Sequence, residues 1–143
     1  MEKMHRIHEG QRAIQDLVKT HSPTIYNIQD TDLFSTVGYW EMWDKDSMPQ
    51  SLLEDARSRK SDLYVVLSSD IPFEPDPLRY GGTVRESTDQ YWIDLCEREG
   101  LPYVYITETK DRLGATVNAI DEFFGENPLS YQRVGKEYER SYK

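Results

Sequence analysis

The stretch that decides the fold is residues 68–86, SSDIPFEPDPLRYGGTVRE. It follows residues 62–67, DLYVVL, a short apolar run whose length and β-branched side chains are typical of a strand covered on both faces. Three prolines after this run keep the backbone away from helix, and the pair Gly81-Gly82 predicts a hinge because glycine adopts positive φ at little cost. The sequence therefore predicts a buried strand that opens into a polar loop.

Two arginines, Arg79 and Arg85, flank the predicted hinge. A guanidinium group binds phosphate oxygens bidentately, and ligands of parallel α/β sheets collect where the strands end. The pattern is typical of a phosphate-handling lid. A surface loop with two solvated arginines fits the same residues, and the pattern alone leaves both interpretations open.

A second polar segment lies upstream, where residues 24–28, TIYNI, predict a strand that is followed by Asp30 and Asp32. A carboxylate at a strand end can hold Mg²⁺ directly or through water. Alternatively, one aspartate caps the next helix, and both roles fit because two aspartates are present. The aromatic segment 33–43 is more typical of core than of a ligand platform, although Thr36 and Tyr39 are candidates for lining a nucleoside pocket.

The remaining segments alternate between helix and strand. An amphipathic helix is predicted over about residues 3–20 because five apolar residues share one helical face: Met4, Ile7, Ile14, Leu17 and Val18. Further helices are predicted around residues 52–56, 87–99 and 113–124, and a strand over residues 102–106. Strands separated by helices, without hairpin signals, predict a parallel sheet.

Composition limits the classes of function. The 143 residues predict a single domain, with a core over residues 1–125 and a polar tail over 126–143 that could form one more helix. The net charge of -9 argues against a nucleic-acid or anionic-membrane partner. Charges throughout the first twenty residues, and the lack of a membrane-length apolar run, lead us to expect a cytoplasmic protein without a signal peptide.

The cysteine and the histidines do not predict a disulfide or a metal site. The single cysteine, Cys96, excludes an internal disulfide and lies in an apolar helical pattern, so we expect it in the core. His5 and His8 have the i,i+3 spacing of a metal site, but no carboxylate or cysteine pattern accompanies them. Solvated histidines are therefore the expectation.

Three stretches together resemble a known family. Residues 28–32, IQDTD, with Thr36 resemble the strand-end DTD..TT segment of the ribosylnicotinamide kinase domain of NadR and its relatives. Residues 70–79, DIPFEPDPLR, resemble the start of that family's lid and are the most specific of the three. Residues 99–104, EGLPYV, followed by Arg112, resemble its last strand and final helix, so the likeness runs over residues 9–124.

The resemblance implies an α/β fold with a three-layer parallel sheet of P-loop kinase type, truncated at the amino-terminal side. It also implies ATP and Mg²⁺ as cofactors and transfer of the γ-phosphate to a riboside hydroxyl. Carried over by position, the site residues are Asp30 on the magnesium side, Asp32 as sugar contact or base, Asp76 near the substrate, and Arg79 and Arg85 on the transferring phosphate. We therefore expect Asp30, Arg79 and Arg85 to converge on a common cavity at the strand ends.

The sequence departs from this family in one respect, since it contains no G-x-x-x-x-G-K-[ST] phosphate loop. The family's first strand, phosphate loop and first helix are expected before Met4 and are absent from these residues, so we expect no phosphoryl transfer by this chain alone. One hypothesis is a nucleoside-kinase part whose phosphate loop comes from another chain. The other is a non-catalytic module that binds a nucleotide or a partner and forms an oligomer, because missing strands expose sheet edges and apolar faces.

Overall fold

The computed structural model describes residues 2–22, 26–70 and 88–126. The chain divides into two compact units, Met1–Lys60 with Phe124–Lys143, and Ser61–Phe123. Whether they form a single domain, as the length predicts, stays a prediction. The helices and strands are α1 Glu2–His21, α2 Leu33–Asp44, α3 Gln50–Ser58, β1 Tyr64–Leu67, α4 Asp89–Glu99, β2 Tyr103–Ile106 and α5 Arg112–Glu126.

The core of the first unit is built around α2, which packs against both α1 and α3. Trp40 is 1% exposed, and its indole Nε1 donates to Ser47 Oγ at 3.0 Å. The aromatic segment is core in part only, since Tyr39 and Trp43 are 56% and 86% exposed. The buried apolar side chains of this unit are Leu33, Phe34, Val37, Trp40, Leu52 and Ala56.

Helix α1 confirms the predicted helix but turns a different face inward. Ile7, Ile14 and Leu17 are 51%, 54% and 59% exposed, whereas His8 and Gln15 are buried. The expectation that His8 is solvated is therefore wrong. Hydrogen bonds set the orientation of the helix, because its polar side chains reach acceptors and donors on α3 and on the segment before α2.

An ion-pair network joins α1 to α3. His8 Nε2 lies 2.8 Å from Asp55 Oδ2, and Arg59 places Nη1 2.8 Å from Asp55 Oδ1. Arg59 also donates to both carboxylate oxygens of Asp16, from Nε to Oδ1 at 2.7 Å and from Nη2 to Oδ2 at 3.0 Å. This bidentate bond to Arg59 lowers the pKa of Asp16. Burial by itself would raise the pKa of Asp55, but the bonds from His8 and Arg59 and the guanidinium charges outweigh it and hold that pKa below its usual range.

The second unit contains a two-stranded sheet in which β1 and β2 pair in parallel, as predicted, from Tyr64 opposite Tyr103 to Leu67 opposite Ile106. Helix α4 packs against both strands, and Cys96 is buried as expected. The expectation that β1 is covered on both faces is wrong, because exposure alternates along it and Val65 and Leu67 are 37% and 49% exposed.

The described residues contain no strand besides β1 and β2. Helix α4 ends at Gly100, whose φ of 60 requires the left-handed conformation that glycine adopts without strain. The strand predicted over residues 24–28 is not found at residues 26–28, which have no regular structure, while residues 24 and 25 lie outside the described ranges. None of the described helices has the length and apolarity that a bilayer crossing needs.

Candidate functional site

The first candidate region is the segment from Asp30 to Asp32, which lies just before α2. Asp30 is exposed, whereas Asp32 is 6% exposed. Two glutamines of α1 bond the backbone on either side of Asp32: Gln11 Nε2 donates to the Thr31 carbonyl at 2.8 Å, and Gln15 Oε1 accepts from the amide of Leu33 at 3.1 Å. The segment is therefore fixed from α1 as well as from α2.

Asp32 is the N-cap of α2. Its Oδ1 accepts from the amide of Ser35 at 2.9 Å, and Ser35 Oγ accepts in return from the amide of Asp32 at 3.3 Å. This reciprocal arrangement is a capping box, which satisfies amide donors that a helix start leaves without a partner. The capping role that the sequence left open is confirmed for Asp32.

The two residues predicted to line a nucleoside pocket lie in different environments. Thr36 is 5% exposed, and its hydroxyl donates to the Asp32 carbonyl at 3.3 Å. Tyr39 is 56% exposed on α2. Of the two, Tyr39 presents the larger surface to a ligand, whereas Thr36 contributes to the turn that starts the helix.

The second candidate region lies at the carboxyl ends of β1 and β2, the edge of a parallel sheet where ligands collect. Arg112, at the start of α5, donates to the Ser68 carbonyl at 2.8 Å, to Ser68 Oγ at 3.0 Å and to Asp70 Oδ1 at 2.8 Å. Ser68 Oγ in turn donates to the same Asp70 oxygen at 2.6 Å. The Ser68 hydroxyl and then Arg112 hold the pKa of Asp70 below its usual range.

Asp89, the first residue of α4, completes this polar edge. One of its oxygens, Oδ2, accepts from the amide of Ser69 at 3.0 Å and from the Tyr105 hydroxyl at 2.8 Å. The bond to the Asp89 carboxylate raises the pKa of Tyr105. The end of β1 is thus tied to α4 by Asp89 and to α5 by Arg112.

Sequence patterns indicated some of these residues and missed others. Asp76, Arg79 and Arg85 lie outside the described residues, so their predicted convergence with Asp30 stays a prediction. No sequence pattern indicated four residues of these regions, because each forms its hydrogen bond with a residue at least 16 positions away: Gln11, Gln15, Asp89 and Tyr105. Arg112 entered only through the family resemblance.

Metal-binding capacity in the described residues is small. No three His, Cys, Asp or Glu side chains within them form a group that could hold a metal ion. Mg²⁺ differs from most metals in that one or two carboxylates, water and substrate phosphates suffice as its ligands. An exposed Asp30 fits an ion that is held mainly by a nucleotide, and does not fit a metal site made of protein groups alone.

Comparison with known proteins gives one match. A family model described as AAA domain matches residues 2–112, a range that includes Asp30, Asp32, Asp70 and Arg112. Neither the curated proteins nor the solved structures contain a match to the chain.

Proposed function

The chain belongs to the AAA domain family, which is of the P-loop NTPase type, and from this premise we propose that it binds a nucleotide or nucleoside. Families of this type generally bind ATP with Mg²⁺. The observation that supports the proposal most is that the matched range carries an exposed aspartate, Asp30, on a segment that α1 and α2 both hold in place.

Within this proposal the relationship is to ribosylnicotinamide kinases. The likeness of residues 28–32 and 70–79 to that family supports it. Asp30 would hold Mg²⁺, directly or through water, and the ion would supply charge neutralisation at the phosphates. Asp32 would contact the sugar or act as base, Thr36 and Tyr39 would line the nucleoside pocket, and Asp76, Arg79 and Arg85 would contact the substrate and the transferring phosphate.

We also propose that these 143 residues perform no phosphoryl transfer alone. The absence of G-x-x-x-x-G-K-[ST] from the sequence supports this, because that loop supplies the backbone amides and the lysine that hold the β- and γ-phosphates. Binding through the remaining carboxylates and arginines is compatible with its absence. Turnover would require a phosphate loop that these 143 residues do not supply.

Two measurements on the chain mixed with Mg²⁺, ATP and nicotinamide riboside test these statements. Thermal unfolding tests the binding, and mass spectrometry of the mixture tests the proposed inactivity. We expect a rise in the thermal unfolding midpoint without a phosphorylated riboside, since a ligand at one hundred times its Kd stabilises the folded state by about 2.7 kcal/mol. An unchanged midpoint at saturating ligand contradicts the binding proposal. Phosphorylated product from the chain alone contradicts the proposed inactivity.

A second candidate function is association between copies of this chain. The apolar stripe of α1, formed by Ile7, Ile14 and Leu17, is more than half exposed at each residue and continues at Leu17 into a shallow depression that reaches Asn27. Two α1 helices would not repel each other strongly, although the chain carries a net charge of -9. The helix is nearly balanced, with Lys3, Arg6, Arg12 and Lys19 against Glu2, Glu9 and Asp16.

A further inference from the structure

Two glutamines on one face of α1 contact the segment that carries the candidate carboxylates. Gln11 and Gln15 are one helical turn apart, so their side chains lie next to each other. Gln11 Nε2 donates to the Thr31 carbonyl at 2.8 Å, and Gln15 Oε1 accepts from the Leu33 amide at 3.1 Å. Gln15 is 5% exposed, which places its bond away from competing water.

The two bonds have opposite polarity. At Thr31 the side chain must donate, because a backbone carbonyl can only accept. At Leu33 the side chain must accept, because a backbone amide can only donate. Glutamine has both a donor and an acceptor, so one residue type serves both positions. Glutamate at neutral pH is an acceptor only, so it keeps the acceptor at residue 15 and removes the donor at residue 11.

The backbone around Asp30 is therefore constrained from several directions. The carbonyl of Thr31 is bonded to Gln11, the amide of Leu33 to Gln15, and the amides of Asp32 and Ser35 to the capping box. The Asp30 side chain is exposed at the end of this constrained segment. The hydrogen bonds from α1 hold the backbone at Thr31 and Leu33, directly after Asp30 in the chain.

We propose that Gln11 and Gln15 are positioning residues that fix the direction in which Asp30 meets a magnesium-bound phosphate ligand. This inference rests on the proposed nucleotide binding. Binding depends on the glutamines because a carboxylate on a loosely held segment must lose conformational freedom when it meets its ligand, and a pre-organised one does not.

Four variants of the full chain test the proposal: Gln15→Leu, Gln15→Glu, Gln11→Glu and, as a control, Gln50→Leu. Gln50 is exposed on α3 and bonds only within its helix, to Glu54, in the hydrogen bonds that the structure gives it. Affinity for Mg·ATP is measured by calorimetry, and amide hydrogen exchange at Leu33 by NMR. Urea unfolding shows whether each variant folds.

We expect Gln15→Leu to raise the exchange rate at Leu33 and to weaken Mg·ATP binding, each by about tenfold. Gln15→Glu keeps the acceptor and should therefore bring the exchange rate at Leu33 back toward that of the wild type. Gln11→Glu should weaken Mg·ATP binding by a similar factor because it removes the donor to Thr31, and Gln50→Leu should change neither quantity.

The outcomes separate the two proposals. Mg·ATP binding by the wild type with equal affinity in all four variants overturns the positioning role and leaves the proposed function standing. Failure of the wild type to bind Mg·ATP overturns the proposed function and the positioning role together. An unchanged exchange rate at the Leu33 amide in Gln15→Leu would show that the hydrogen bond from this amide to Gln15 does not constrain the segment, which overturns the positioning role of Gln15.

Discussion

Asp32 has a structural role as a helix cap and, in the proposed function, a chemical role as well. Its side chain caps α2, and substitution by alanine should lower the free energy of unfolding by about 1 kcal/mol. Serine caps a helix as well as aspartate does, so Asp32→Ser should keep the stability within a few tenths of a kcal/mol. It should nevertheless bind nicotinamide riboside more weakly, because the proposed sugar contact needs the carboxylate.

Urea unfolding and riboside titration of the two Asp32 variants separate these roles. Riboside affinity that is unchanged in Asp32→Ser would limit Asp32 to capping the helix. Equal stability of Asp32→Ala and the wild type would contradict the capping role.

Arg112 helps to lower the pKa of Asp70, its partner at the end of β1. Replacing it by methionine removes the donors to Asp70 and Ser68, so the pKa of Asp70 should rise toward its ordinary value. The rise should be partial, because the Ser68 hydroxyl remains and is the larger cause of the lowered pKa. A titration that follows the Asp70 carboxyl carbon by NMR measures this shift, and Arg6→Met, on α1, is the control.

An Asp70 pKa that is identical in Arg112→Met and the wild type would show that the guanidinium does not act on this carboxylate. The three-way contact itself was not predictable from sequence, because Arg112 lies 42 and 44 positions from Asp70 and Ser68.

At the scale of elements, local signals predicted most of the helices and strands, and α1 shows where they fail. The apolar period predicted its length, because it is a property of the nearby sequence. The face that turns inward depends instead on partners 18 to 47 positions away, such as Leu33 for Gln15 and Asp55 for His8. Hydrophobic periodicity contains no information about those partners.

The strand predicted over residues 24–28 fails for a related reason. Its β-branched and aromatic composition fits a strand, but a strand forms only where a neighbouring backbone pairs with it. In the described part of the chain β1 and β2 pair with each other, and residues 26–28 join neither.

The network between α1 and α3 makes the first unit sensitive to acid. The pKa values of Asp16 and Asp55 are lower in the folded state than in the unfolded chain, where an aspartate has a pKa of about 3.9. Their contribution to stability is therefore complete above about pH 4 and is lost as the pH falls through the folded values. The free energy of unfolding should decrease as the pH falls below about 4.

Urea unfolding at pH 7, 5, 4 and 3, followed through the buried Trp40, measures this dependence. Arg59→Met should be less stable at pH 7 and should lose less stability on acidification, because the two aspartates lose their shared partner. Lys3→Met, an exposed change on α1, is the control. An acid dependence of Arg59→Met equal to that of the wild type would contradict the role of the network.

At the scale of the whole molecule, the apolar stripe of α1 predicts self-association. Light scattering at rising protein concentration should show a dimer, and Ile14→Lys should shift it to monomer with unchanged helical content, because a charge in the stripe cannot be buried without cost. Leu113→Lys, at a side chain that is 77% exposed on α5, should leave the dimer intact. A wild type that stays monomeric at every concentration would contradict this prediction.

The P-loop NTPase type and the parallel pairing of β1 with β2 were within reach of the sequence, because the motifs of the resemblance and the strand–helix alternation are local patterns, whereas the relationship to ribosylnicotinamide kinases stays a proposal. The convergence of Asp30 with Arg79 and Arg85 stays a prediction, since it depends on how segments fifty residues apart are arranged, and the two arginines lie outside the described residues. Nucleotide binding is the property that all these residues are proposed to serve.

Calorimetric titration of Mg·ATP into the wild type and into Asp30→Asn tests that property most directly, with Asp46→Asn, another exposed aspartate of the first unit, as the control. We predict saturable binding by the wild type and by Asp46→Asn, and binding about tenfold weaker or more by Asp30→Asn, because the neutral amide is a poorer magnesium ligand. No saturable binding by the wild type, or equal affinity in Asp30→Asn, would contradict the account.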